Sequence, residues 1–106
     1  MRLRRGRFDA LVDRQLDLVA EDEASLLEEA EEAEAAWVRS GRDEAEEAYG
    51  DFQLVVDALA DRLLEVRDSY ASTLDAEAAD EYRGAFSRAV ARRFRRYPSL
   101  ASDLEP

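Results

Sequence analysis

Ala45, Tyr49, Phe52, Val56, Leu59, Leu63, Val66 and Tyr70 stand in unbroken steps of four and three. Apolar residues repeating at that interval over more than three heptads form one stripe along an α-helix. A stripe so long has to be covered by a second element running beside it. Val55 and Leu64 widen it, so this helix touches more than one neighbour. No segment alternates apolar and polar residues, so the chain reads as all-α.

Two further helices are readable. Val12, Leu16, Val19, Glu23, Leu26, Ala30, Ala33 and Trp37 keep the same spacing, which predicts one helix from about Phe8 to Arg39. Glu23 is the single polar interruption. Gly41 follows as a left-handed terminator, and Asp43 fits an N-cap with Glu46 three residues on. Beyond Ser72-Thr73-Leu74, Asp75 caps a third helix whose apolar edge is Tyr82, Phe86, Val90, Phe94 and Tyr97. Pro98 ends it. Short connections make consecutive helices antiparallel, so the expected fold is a long helical hairpin plus a shorter third helix, up-down-up. Residues 1–97 form one domain, and residues 98–106, lacking periodicity, form a flexible tail.

The third helix, with about 22 residues against ~30 in its neighbours, spans roughly 33 Å against 45 Å. Apolar surface near Tyr49, Phe52 and Trp37 should therefore be left for a second copy, completing the bundle as a homodimer. Equal rise along the first hairpin pairs positions whose numbers sum to about 83. Gly50 inside the second helix is either a tolerated surface glycine or a point of close helix approach, since it falls opposite Ala33, small against small.

Composition narrows the chemistry. The 106 residues contain no Cys and no His, which removes thiolate and imidazole metal sites, Ser-His-Asp and Cys-His catalysis, and His-containing di-iron bundles. Carboxylate chemistry with Mg²⁺ or Mn²⁺ remains, or no chemistry and no cofactor. All 15 basic residues are Arg, and Lys, Asn and Ile are absent, a bias that AT-poor codon usage explains without function. An acidic, Lys-poor surface also suits a high-salt organism. No apolar run approaches the ~20 residues needed to span a bilayer, and the basic start is followed by Asp9 and Asp13 instead of a signal core. A cytoplasmic protein without membrane contact is expected.

The net charge of −11 is unevenly placed. Residues 1–16 hold five Arg and two Asp, residues 17–81 hold four Arg against 22 acids, and residues 82–106 hold six Arg against two acids. The run Arg92-Arg93-Phe94-Arg95-Arg96 can suggest nucleic acid, but the acidic middle would repel phosphates. Internal complementarity answers better. The Arg-rich end of the third helix should lie beside Glu28–Glu34 and Asp51–Asp57, and the N-terminal Arg cluster near Glu65, Asp68, Asp75 and Glu77. No nucleic-acid partner is expected.

Glu28-Glu29-Ala30-Glu31-Glu32-Ala33-Glu34 is the densest acidic stretch. It is either a solvated helix face or half of a carboxylate site for Mg²⁺, which takes oxygen ligands and keeps several waters. Here the chain resembles the all-α nucleoside triphosphate pyrophosphohydrolases of the MazG type. Those enzymes carry Glu-Glu-x-x-Glu on one helix and Glu-x-x-Asp on the next. Glu28, Glu29 and Glu32 match the first element, Gly50-Asp51 resembles the second, and the ending Arg92 to Pro98 resembles the family's basic Tyr-Pro ending. The resemblance implies Mg²⁺ held by Glu28, Glu29, Glu32 and Asp51 over a nucleotide's phosphates. Ala48 stands where the family has the Glu of its second motif. Glu65-Val66-Arg67-Asp68 has the motif's spacing but lies half a helix away.

Two single residues carry alternatives. Glu23 either leans out past the apolar stripe or forms a buried pair with Arg62 at the facing level. Trp37 either caps the bundle end or anchors a partner. The expected function is a non-catalytic homo-oligomeric or protein-interaction module, binding itself or another protein. An acidic adaptor for a basic partner is a further option, and a divergent MazG-like Mg²⁺-dependent pyrophosphohydrolase is the alternative.

Overall fold

A computed structural model describes residues 6–104. Its helices are α1 (Asp9–Asp22), α2 (Ala24–Arg39), α3 (Ala45–Ala71), α4 (Ala76–Arg93) and α5 (Ser99–Asp103), with no strand among the described residues. The all-α expectation holds. The long second helix is found as α3, whose Phe52, Val56, Leu59 and Leu63 are buried in the core. Val55 and Leu64 pack against that core from its sides. Ser72 and Thr73 close α3 by donating their hydroxyls to the carbonyls of Ser69 and Tyr70, both at 2.7 Å. Asp75 caps α4, its Oδ1 accepting from the Ala78 amide at 2.9 Å. Tyr82, Phe86, Val90, Phe94 and Tyr97 are all buried, as their spacing requires.

The expected single helix over Phe8–Arg39 is two. The backbone leaves helical geometry at Glu23, with φ −108° and ψ 29°. The Glu23 amide still donates to Val19, and its carbonyl still accepts from Leu27, so the break is a bend within nearly continuous hydrogen bonding. The bend divides the work of the two halves. α2 runs along α3, whereas α1 turns to pack chiefly on α4. There Phe8 meets the Tyr82 ring edge-on at 5.6 Å, and Gln15 Oε1 accepts from the Tyr82 hydroxyl at 2.7 Å.

The segment expected to be a flexible tail is also different over its described part. Leu100 and Leu104, one helical turn apart on and beside α5, are fully buried between α3 and α4. Arg67 Nη1 and Ser87 Oγ both donate to the Leu104 carbonyl, at 3.0 and 2.7 Å. Two leucines and two hydrogen bonds fasten a stretch too short to show periodicity. Residues 105 and 106 lie outside the described residues.

Smaller expectations also change. Gly41 is not left-handed, because no glycine among the described residues has positive φ. α2 instead ends where Ser40 turns extended and its hydroxyl donates to the Trp37 carbonyl. Glu44, not Asp43, precedes α3, and no side chain caps it. Gly50 faces open space, as a tolerated surface glycine does, and not the close helix approach that its register opposite Ala33 offered as the other reading.

Candidate functional site

The hairpin of α2 and α3 carries an open groove of about 510 Å³ on one side. Glu29, Glu32, Ala33 and Ala36 line it from α2, and Ala48, Asp51, Leu54 and Val55 line it from α3. On each helix these positions recur at three or four residues, so each set shares a face. Antiparallel rise pairs positions whose numbers sum to about 83, which sets Glu29 at the level of Leu54 and Glu32 at that of Asp51 within this shared lining. Three alanines keep the lining shallow-sided, and Leu54 stands 68% exposed beside them.

The acidic stretch of α2 is divided by helical phase. Glu31 and Glu34 point toward the basic end of the chain. There Arg96 Nε donates to Glu34 Oε1 at 2.5 Å, and its Nη1 lies 3.6 Å from Glu31. The hydrogen bond it donates to Glu34 holds the Arg96 guanidinium above its ordinary pKa. This is the expected placement of the Arg-rich end, and Arg93 adds an ion pair with Asp17 of α1. Glu29, Glu32 and Asp51 have no hydrogen-bond or ion-pair partner among the described residues. At the other end Arg7 lies 3.9 Å from Glu81, while Arg2, Arg4 and Arg5 lie outside the described residues.

The groove collects three of the four residues that the MazG-type resemblance names for Mg²⁺. Glu29, Glu32 and Asp51 line it, and Glu28 does not. Ala48 is also in the lining, so the position of the missing carboxylate presents a methyl group. Among the described residues no three acidic side chains gather closely enough to hold a metal ion. The donor set does not fit Mg²⁺, and no hydrolytic step follows from it.

Near the hairpin tip, Trp37, Tyr49, Phe52, Tyr97 and Pro98 surround a smaller cleft of about 240 Å³. Trp37 stacks on Phe52 at 5.6 Å and meets Tyr49 edge-on at 4.8 Å, and Tyr97 reaches Phe52 from the far side at 5.9 Å. Such pairs stabilise beyond their area alone. Burial pushes the Tyr97 hydroxyl's pKa upward. The chain after α4 thus covers Phe52, which was expected to await a second copy, and leaves Tyr49 45% exposed. Trp37 closes this end of the bundle. Glu23 does pair with Arg62, at 3.2 Å, although both remain partly solvated.

Sequence reasoning overlooked Leu54. It belongs to neither apolar stripe, and a large aliphatic residue off the stripe of an amphipathic helix is the signal that would have found it. Comparison with protein-family models, curated proteins and solved structures finds no match to this chain.

Proposed function

We propose that the chain is a non-catalytic protein-interaction module whose docking face is the outer groove of the α2–α3 hairpin. The supporting observation is Leu54, held exposed at the rim of an alanine-lined groove on two rigid helices. A partner helix laid in the groove would cover it, and the surrounding lining makes Leu54 part of a concave face, unlike the exposed Val38 near the end of α2. The aromatic surface expected to seek a second copy is largely satisfied within the chain, which favours a partner other than itself over the homodimer. A photo-crosslinker placed at position 54 tests the reading in lysate of the source organism. A discrete adduct at 54, absent when the crosslinker is at position 80 of α4, is expected. No adduct at 54, or the same products from both positions, would remove it.

The second reading, a divergent MazG-like pyrophosphohydrolase, draws support from Glu29, Glu32 and Asp51 sharing one groove. It ranks lower because Ala48 supplies no ligand.

A further inference from the structure

We infer that the groove receives a basic amphipathic helix from a partner protein; this rests on the α2–α3 face being the docking face. Three observations select that occupant. The lining is a stripe on each of two antiparallel helices, covering residues 29–36 beside 48–55. Seven residues of rise make it about 10 Å long, the length of two helical turns. A third helix laid along this stripe would reproduce the packing that α3 already makes with α2.

Side-chain size sets what the incoming face must carry. Ala33, Ala36 and Ala48 leave space and Leu54 adds exposed apolar surface to the lining, so large aliphatic side chains at i and i+3 or i+4 of the incoming helix would fill the groove.

Charge sets the flanks. Glu31 and Glu34 are already engaged by Arg96, whereas Glu29, Glu32 and Asp51 have no partner among the described residues. Arg or Lys on the edges of the incoming helix would pair with them. A second copy fits poorly. Two-fold symmetry would set the three unpaired carboxylates of one groove against the same three of the other.

The probe is a fluorescent 15-residue helix-forming peptide with Leu along one face and Arg on both flanks. Its controls are a scramble of the same composition, which destroys the apolar face, and an analogue with Glu for every Arg. Anisotropy is read at 0.15 M NaCl. The amphipathic peptide should bind at least tenfold more tightly than either control. Leu54→Asp and the combined Glu29→Gln, Glu32→Gln, Asp51→Asn change should each weaken it at least tenfold. Removing the same charge from α4, by Glu77→Gln, Asp80→Asn and Glu81→Gln, should alter binding less than twofold.

Circular dichroism confirms that each variant stays helical. Equal binding of peptide and scramble, or equal weakening by the two triple changes, would reduce the effect to general attraction by an acidic chain and overturn the inference. If the peptide fails while the crosslinker at 54 still yields an adduct, the inference falls and the interaction module stands. Loss of both removes both.

Discussion

Arg62 Nε lies 3.2 Å from Glu23 Oε1, joining the middle of α3 to the one residue at which α1 and α2 part. The same guanidinium reaches Glu65 Oε1 at 3.2 Å on its own helix. Arg62 therefore spans the bend on its outer side while Val19 and Ala30 are buried on either side of it. The bend lets one apolar stripe serve two neighbours, its first half packing chiefly on α4 and its second half on α3.

Because both members of that pair remain about a third solvated, its coupling should be small. A double-mutant cycle of Glu23→Gln and Arg62→Gln in urea should return about 0.5–1 kcal/mol. A value above about 2 kcal/mol would mean that the pair, and not the packing of α1 on α4, enforces the bend.

The C-terminal helix makes a larger demand. Leu100 and Leu104 are fully buried, so Leu100→Ala and Leu104→Ala should each cost about 2–4 kcal/mol, measured by chemical denaturation. Ending the chain at Tyr97 should cost more than either, since Arg67 and Ser87 would also lose the Leu104 carbonyl. A truncated chain as stable as the full one would restore the flexible tail.

Legibility in the sequence followed the length of each pattern. Along α3 seven consecutive steps of four and three agree, and side chains from Phe52 to Leu63 are buried as spaced. The Asp75 cap was readable because one oxygen meets one amide locally. The bend at Glu23 was not, because the four-three spacing continues through it and its one polar residue reads equally as a side chain leaning out past the stripe. Nor was α5, where two leucines four apart are too few to define a period. At the groove, register arithmetic brought Glu32 and Asp51 together correctly. It could not show which acids Arg96 would neutralise, since that depends on how the chain turns after Phe94.

Tyr82 makes stability sensitive to alkali. Its ring is fully buried, and burial pushes its pKa up to about 12 from 10.0. A phenol whose folded pKa is raised keeps its proton in the native state after the unfolded chain has lost it. Its contribution is therefore intact below about pH 10 and is lost as pH rises toward 12. Tyr82→Phe should cost about 1 kcal/mol at neutral pH through the lost hydrogen bond. It should also flatten the decline in the urea midpoint between pH 9 and pH 11.5. A variant declining as steeply as the parent would place the alkaline sensitivity elsewhere.

The last prediction separates metal binding from screening at the groove. Mg²⁺ bound at Glu28, Glu29, Glu32 and Asp51 would stabilise the fold by RT ln(1 + [L]/Kd), about 2.7 kcal/mol at a hundredfold excess over Kd. Any cation also screens repulsion in a chain of net charge −11, so NaCl at matched ionic strength is the reference. Glu28 lies outside the groove lining and Ala48 offers no oxygen, leaving three carboxylates that do not converge. Mg²⁺ and NaCl should therefore raise the thermal midpoint equally, and the combined Glu29→Gln and Asp51→Asn change should reduce both effects together. A shift specific to Mg²⁺ that disappears in the double variant would show that the groove can close around a metal, and would place the pyrophosphohydrolase reading first.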